Sequence, residues 1–141
     1  MVDEYELRRR RVEWPVVGAV AVGGGVGALA RYAAAQLWPT AEGAFPWTTF
    51  AVNMVGCAAI GLFLALLRPH AHPLLRPFVA TGILGGFTTF STYAVDAAGL
   101  VRADRAAVAA AYLLLTLLAA LLAARAGIAA GDRIRAAEAR P

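Results

Sequence analysis

The hydrophobic positions of this chain fall into four long runs that polar residues rarely interrupt. The runs cover approximately residues 14–37, 48–67, 74–100 and 106–124. Each is close to the roughly 20 residues that an α-helix needs to cross about 30 Å of hydrocarbon. The pattern therefore predicts an all-α membrane protein with four transmembrane helices.

The segments that connect these runs are short. They read PTAEGAFP after the first run, RPHAHP after the second and RADR after the third. Short connections make sequential helices antiparallel neighbours, so we expect one four-helix domain with both termini on the same side. This domain is predicted to span residues 14–127, between a polar basic N-terminal tail at 1–13 and a polar C-terminal tail at 128–141. The first run is too long for a cleaved signal peptide, and no cleavage motif followed by a soluble body comes after it.

The composition agrees with a membrane setting. Hydrophobic residues make up 60% of the 141 positions and the mean hydropathy is +0.64, whereas roughly half is usual for a soluble domain. All thirteen basic residues are arginines, and they lie at the edges of the apolar runs rather than on one basic face. The formal charge of +4 therefore indicates contact with lipid headgroups and not with nucleic acid.

The segment TGILGGFTTFSTY, residues 81–93, is unusually polar for a membrane span. It carries three glycines and five threonine or serine hydroxyls inside a long apolar run. Because every backbone polar group in a bilayer needs a partner, such a segment is tolerated only where it is buried in protein or lines a polar cavity. We interpret it as the part of the chain past which something polar moves.

Further polar groups lie deep in the other runs. Arg31 is near the end of the first helix, Asn53 stands alone in the second, and Tyr112 and Thr116 share one face of the fourth at i, i+4. Polar groups at such depth mark interfaces or pathways. Each also has a structural interpretation: Arg31 snorkels to the headgroups, Asn53 bonds a neighbouring helix and Tyr112 belongs to the core.

Three other features are assigned no chemistry. Cys57 is the single cysteine, which excludes a disulfide within the chain, and it is interpreted as a small buried hydrophobe. His70 and His72 lack the further ligands that a metal site needs. The glycines of residues 23–28 loosely fit a dinucleotide-binding pattern, but they lie within an unbroken apolar run. We therefore expect them to let helices pack closely.

Three strings on successive helices together resemble one family. They are GGVGALARY at residues 24–32, VNMVG at 52–56 and GGFTTFSTY at 85–93. In this order they are similar to the small bacterial fluoride channels of the Fluc or CrcB family, and the resemblance covers about the whole chain except its tails. It implies a fluoride-selective ion channel that passively exports cytoplasmic fluoride and so lowers its toxicity.

The resemblance also implies an assembly. Two four-helix subunits would form an antiparallel dimer with a broken third helix, two separate fluoride pathways and one central structural Na+. The Na+ ligands implied are the backbone carbonyls of Gly85 and Thr88 at the dimer interface. The arrangement is physically sensible, because unwinding a membrane helix frees carbonyls that can coordinate a hard cation.

Carried over residue by residue, the resemblance implies a fluoride pathway in each subunit. Its members are Asn53, Phe90, Ser91, Thr92, Tyr93, Tyr112 and Thr116. Fluoride is small and strongly hydrated, so amide and hydroxyl donors must replace its water, and aromatic rings help when they present their positive edge. Tyr93 departs from the second phenylalanine common in the family, since it keeps the ring edge and adds a hydroxyl.

Two further residues, Arg31 and Asp96, are assigned to a vestibule or to a structural role. Asp96 matches a position at which the family usually carries an acidic residue, commonly glutamate. It either positions a donor or terminates the third helix, and we favour a structural role for it.

Two alternatives from other classes stay open at this point. A proton-coupled small multidrug transporter also has four short-looped helices, but it needs a membrane-embedded carboxylate in the first helix. Nothing acidic follows Glu13 before Glu42, which counts against it. A non-conducting membrane assembly protein is compatible with the helix count. An enzyme is not expected, because no nucleophile, base and orienting acid converge within the membrane.

The arginines are distributed unequally between the two sides of the predicted bundle. If both tails and the second loop share one side, ten arginines lie there against two on the other, with Arg31 set aside. The ten are Arg8, Arg9, Arg10, Arg11, Arg68, Arg76, Arg125, Arg133, Arg135 and Arg140, and the two are Arg102 and Arg105. Basic flanks stay inside, so both termini are predicted to face the cytoplasm across a bacterial inner membrane. A fixed orientation favours a homologous, oppositely inserted partner, although a homodimer forms if some chains invert.

Overall fold

The computed structural model describes residues 13–139, and the regular elements within this range are all helices. They are α1 (Trp14–Leu37), α2 (Trp47–Leu66), the π-helical segment π1 (Pro77–Leu84), α3 (Gly85–Phe87), α4 (Phe90–Arg102) and α5 (Ala106–Glu138). Four spans are long and apolar enough to cross a membrane, and π1, α3 and α4 together form the third. The prediction of an all-helical chain with four membrane-crossing spans is confirmed.

The last helix is longer than the apolar run that predicts it. The run ends at residue 124, but α5 continues to Glu138. Alanine, the best helix former, makes up much of this continuation, so the helix persists where the hydropathy falls. The 33 residues of α5 extend for about 50 Å, which exceeds the thickness of the hydrocarbon layer.

The end of α5 is tied to the end of α2. Arg135 donates to the Ala65 carbonyl at 3.1 Å, and Arg68 pairs with Glu138 at 3.6 Å. The C-terminal end of α5 and the second loop therefore lie on the same side of the bundle, as the short connections predict.

The division of the chain into tails and a channel domain stays a prediction. Helix α5 passes residue 127, the predicted end of the domain, without interruption. Residues 1–12, 140 and 141 lie outside the described residues, and these include five of the ten arginines assigned above to the cytoplasmic side.

Glycines let the helices approach closely in two places. Gly27 of α1 is buried against the third span, where an added Cβ atom would overlap the Ile83 carbonyl oxygen. Gly127 of α5 lies against α2, where a Cβ atom would overlap the Ala58 carbonyl oxygen. Residues 23–28 are helical within α1. The expectation of close packing is confirmed for the two buried glycines of this stretch, Gly23 and Gly27, and the dinucleotide-binding turn does not form there.

The third span changes conformation along its length. It begins with the wider hydrogen-bonding pattern of π1 and passes into the single short turn of α3. Thr88 and Thr89 then adopt extended backbone, with ψ of 156° and 125°, before α4 begins at Phe90. π-helical segments are rare and frequently lie at functional sites. The hydroxyl cluster of the sequence thus lies where regular helical hydrogen bonding is interrupted.

A small buried core lies at the first-loop end of the bundle. It consists of Ala97, Leu100, Ala109 and Tyr112, with Phe45, Phe50, Tyr93 and Val108 packed against it. The Tyr112 ring meets Phe45 at 86°, with centroids 5.3 Å apart, which is a favourable edge-to-face arrangement. Arg105 donates to the carbonyl of Gly43, whose φ of 71° favours glycine. These contacts fix α4 against α5, and both helices carry candidate site residues.

We expect Gly27→Ala to destabilise the fold by about 2 kcal/mol or more, because the new methyl group has no space beside the π1 backbone. Gly18→Ala is the matched control, since nothing lies within 4 Å of a Cβ atom at Gly18, and alanine raises helix propensity by up to about 1 kcal/mol. Unfolding in detergent, followed by tryptophan fluorescence, measures both. Equal stability of the two variants would contradict the close approach of α1 and π1.

Candidate ion pathway

A cavity of about 370 Å³ lies where α2, α5 and the extended residues of the third span meet. Its lining residues are Asn53, Cys57, Thr88, Thr89, Phe90, Tyr93, Thr116, Leu117 and Ala120. Four of the seven predicted pathway residues therefore come together around one space. None of these lining residues is acidic, so no carboxylate there would repel an anion.

Asn53 binds the main chain of Thr89 through both ends of its amide. Its Oδ1 accepts from the Thr89 N–H at 2.8 Å, and its Nδ2 donates to the Thr89 carbonyl at 3.1 Å. Asn53 is a buried residue of α2. The amide nitrogen carries two hydrogens, and the bond to Thr89 uses one of them. Asn53 therefore links α2 to the extended residues and also lines the cavity.

The carbonyls of Gly85 and Thr88 lose their usual helical donors. In a continuous α-helix the N–H groups four residues further on, at Thr89 and Thr92, would bond them. Here the Thr89 N–H bonds Asn53, and the Thr92 N–H bonds the Thr89 Oγ1 at 3.1 Å. Two backbone oxygens of the kind that hard cations take as ligands are thereby released from the helix.

Other side chains also bond the main chain near this point. Arg31 donates from Nε to the Gly86 carbonyl at 3.3 Å, and Thr88 donates from Oγ1 to the Leu84 carbonyl at 3.0 Å. Arg31 thus reaches the third span, so it does more than snorkel to the headgroups. Its assignment to a vestibule stays a prediction.

The two aromatic residues that line the cavity differ in exposure. Phe90 is 79% exposed, whereas the partly buried Tyr93 donates its hydroxyl to the Leu113 carbonyl of α5 at 2.8 Å. The ring centroids of Phe90 and Tyr93 are 5.7 Å apart, with 50° between the ring planes. The additional hydroxyl of Tyr93 is therefore an anchor between α4 and α5.

The prediction that Tyr112 and Thr116 share one face of the last helix is confirmed. Both are buried, and Tyr112 is fully so. The Thr116 Oγ1 is buried and has no hydrogen-bond partner among the described residues, and Thr116 is one of the residues that line the cavity. A buried hydroxyl without a partner costs free energy unless something else bonds it.

Asp96 does not terminate the third helix, and that part of the expectation is wrong. It lies inside α4, which continues to Arg102, and its carboxylate has a partner on another helix. Asp96 Oδ2 accepts from Thr49 Oγ1 at 2.6 Å and lies 3.5 Å from the Tyr112 hydroxyl. Asp96 also lines a second cavity of about 320 Å³ beneath the first loop.

Ser91 and Thr92 lie beside the first cavity and do not line it. Thr89 Oγ1 is 3.3 Å from Ser91 Oγ and donates to Thr92 Oγ1 at 3.1 Å. The three hydroxyls form a cluster at the first turn of α4. The fluoride-pathway roles of Ser91 and Thr92 stay predictions.

Three residues of this region are missing from the sequence-based site. Thr89 caps α4, and a threonine just before a helix is a recognisable start signal. Thr49 lies four residues before Asn53, on the same face of α2. Cys57 lines the cavity one turn after Asn53, and nothing in its apolar surroundings indicates this.

Comparison with known proteins decides the family. Residues 18–128 match the family model described as CrcB-like protein, Camphor Resistance (CrcB). The chain belongs to the CrcB family. Fluoride-specific ion channel FluC 2 of Streptomyces avermitilis is 60% identical over 115 residues, which cover 77% of this chain and 73% of that protein. FluC 1 of Streptomyces coelicolor is 60% identical over 116 residues, which cover 80% and 75%. FluC 2 of Thermobifida fusca is 44% identical over 121 residues, which cover 84% and 90%.

We expect two threonine-to-valine substitutions to differ in their effect on stability. Thr116→Val removes a buried hydroxyl without a partner among the described residues, so the free energy of unfolding stays constant or rises by about 1 kcal/mol. Thr89→Val keeps a side chain suited to extended backbone but removes the cap of α4, which costs about 1 kcal/mol. Unfolding in fluoride-free detergent measures both, and a marked loss in Thr116→Val would show that its hydroxyl has a protein partner.

Proposed function

We propose that this CrcB family member is a fluoride-selective ion channel that passively exports cytoplasmic fluoride and so lowers its toxicity. It is not an enzyme. The observation that carries the proposal is the cavity between α2, α5 and the extended residues. It combines the amide of Asn53, the buried hydroxyl of Thr116 and the exposed ring of Phe90, and the relatives named above are fluoride-specific channels.

The chemistry of this lining suits a small hydrated anion. An amide N–H and a hydroxyl each replace one hydrogen bond from water, and a phenylalanine edge carries partial positive charge. With the cell interior negative, a monovalent anion gains about 2.3 kcal/mol per 100 mV on leaving. A passive channel therefore suffices, without a coupled energy source.

An antiparallel dimer with two pathways accounts for the exposed polar side of the third span. Thr81 and Ser91 are exposed on a single subunit, as is the ring of Phe90. Interrupted helical backbone is tolerated at membrane depth only where protein or a polar cavity covers it. The second subunit supplies that cover in the proposed assembly, and the third span acts in it as a broken helix.

A structural Na+ at the centre of this dimer is part of the proposal. The carbonyls of Gly85 and Thr88 would hold it, because both have lost their usual helical donors. When bound there, Na+ would supply positive charge that the carbonyl oxygens of both subunits complement. Gly85 is exposed on the single subunit, which supports a location at the interface.

The alternative of a small multidrug transporter has no support in α1. This helix contains no acidic residue from Trp14 to Leu37, whereas the transporter mechanism needs a carboxylate there. A non-conducting assembly protein is the remaining alternative, and measurement of ion flux distinguishes it from a channel.

Purified protein in fluoride-loaded liposomes tests the function. We expect a fluoride electrode to record rapid release once valinomycin carries the compensating K+. Phe90→Ile keeps bulk but loses the positive ring edge, so release falls sharply. The matched control Tyr93→Phe keeps the edge and loses only the bond to Leu113, so it conducts well with a stability cost of about 1 kcal/mol. No release by the unmodified protein would favour the non-conducting alternative, and equal behaviour of the two variants would contradict the edge argument.

The orientation proposed is both termini in the cytoplasm across the inner membrane. Because basic flanking residues stay inside, we expect C-terminal reporter fusions to give a signal on the cytoplasmic side only. A homologous partner inserted the opposite way then completes the antiparallel dimer. Comparable signals on both sides, from this chain expressed alone, would instead support a homodimer of dual topology.

A further inference from the structure

We propose that Asn53 is a positioning residue for the cation site, which it holds open by binding the main chain of Thr89. The inference rests on the proposed function and assigns this side chain a second task beside the anion pathway. The cation site and the anion pathway of one subunit would then share a single amide.

The geometry at Thr89 carries the first step. Asn53 bonds both main-chain groups of this residue, at 2.8 Å and 3.1 Å. The side chain of Thr89 bonds in the other direction, where its Oγ1 accepts from the Thr92 N–H. Thr89 is therefore held to α2 by its main chain and to α4 by its hydroxyl, and its extended conformation is determined from both sides.

The second step concerns competition for the Thr89 N–H. When Asn53 accepts this hydrogen, the Gly85 carbonyl is left for a cation. Without Asn53, the acceptor four residues earlier in the chain is the Gly85 carbonyl itself, and bonding it would extend α3 by one residue. Closure of the helix and binding of a cation therefore compete for the same oxygen.

The packing of α2 supports this role. Gly56 lies three residues after Asn53, on the same face of the helix. A Cβ atom at Gly56 would collide with the methyl group of Thr88. Two neighbouring positions of α2 thus contact the two extended residues, one by hydrogen bonds and one by close approach. A rigid helix positions Thr88 and Thr89, so the cation site does not depend on the third span alone.

A sodium titration of thermal unfolding tests the inference on the full-length protein in detergent, with choline keeping the ionic strength constant. A ligand that binds only the folded state raises stability according to its concentration and affinity. We expect Asn53→Leu, which has a similar shape but no polar atoms, to raise the Na+ concentration for half-maximal stabilisation by about tenfold, equivalent to about 1.4 kcal/mol. The matched control Thr116→Val also removes a polar group of the cavity, and it leaves that concentration unchanged.

If Asn53→Leu does not fold, Asn53→Ser is used in its place. Serine is too short to reach both main-chain groups of Thr89, so we expect the same shift in the Na+ concentration for half-maximal stabilisation. An unchanged Na+ midpoint in a folded Asn53 variant would overturn the inference and leave Asn53 as an anion contact alone. Absence of Na+ stabilisation in the unmodified protein would overturn it as well, while its fluoride release would still decide the proposed function separately. Sodium stabilisation with the expected shift, but without fluoride release, would support the positioning role and reject the channel.

Discussion

The main-chain groups between α3 and α4 cannot form the regular backbone bonds of a helix, so they need other hydrogen-bond partners. The arrangement of the rest of the site depends on these partners. An unsatisfied amide or carbonyl in hydrocarbon costs several kcal/mol. Asn53 of α2 satisfies Thr89, Arg31 of α1 bonds the Gly86 carbonyl, and the Thr89 hydroxyl caps α4. Polar side chains from several helices therefore converge on one point inside an otherwise apolar bundle.

The features that a single sequence predicts here are the local ones. Hydropathy over about 20 residues predicts the four spans, and three short strings identify the family. The bond between Asn53 and Thr89 is different, because it joins residues separated by 36 positions. A polar residue alone in an apolar run indicates that a partner exists, but the identity of the partner depends on how two helices pack. For that reason Asn53 is predicted as a site residue and Thr89 is not.

The corrections have equally specific causes. The apolar run ends before α5 does, because hydropathy and helix propensity are separate quantities. An alanine-rich sequence keeps a high helix propensity where its hydropathy has fallen. A carboxylate inside a membrane-spanning helix needs a partner within the bundle. Thr49 provides that partner at 2.6 Å, so the carboxylate is accommodated inside α4.

The buried hydroxyl of Thr116 has a kinetic meaning as well as an energetic one. Its oxygen has no hydrogen-bond partner among the described residues, so its hydrogen is free to rotate. Conduction requires binding that is favourable enough for entry and weak enough for departure. In the proposed pathway, a donor that is not committed to a protein acceptor turns towards a passing ion without first breaking a bond. The same lack of a partner that withholds stability from the resting protein would thus lower the cost for an ion to enter at this point of the proposed pathway.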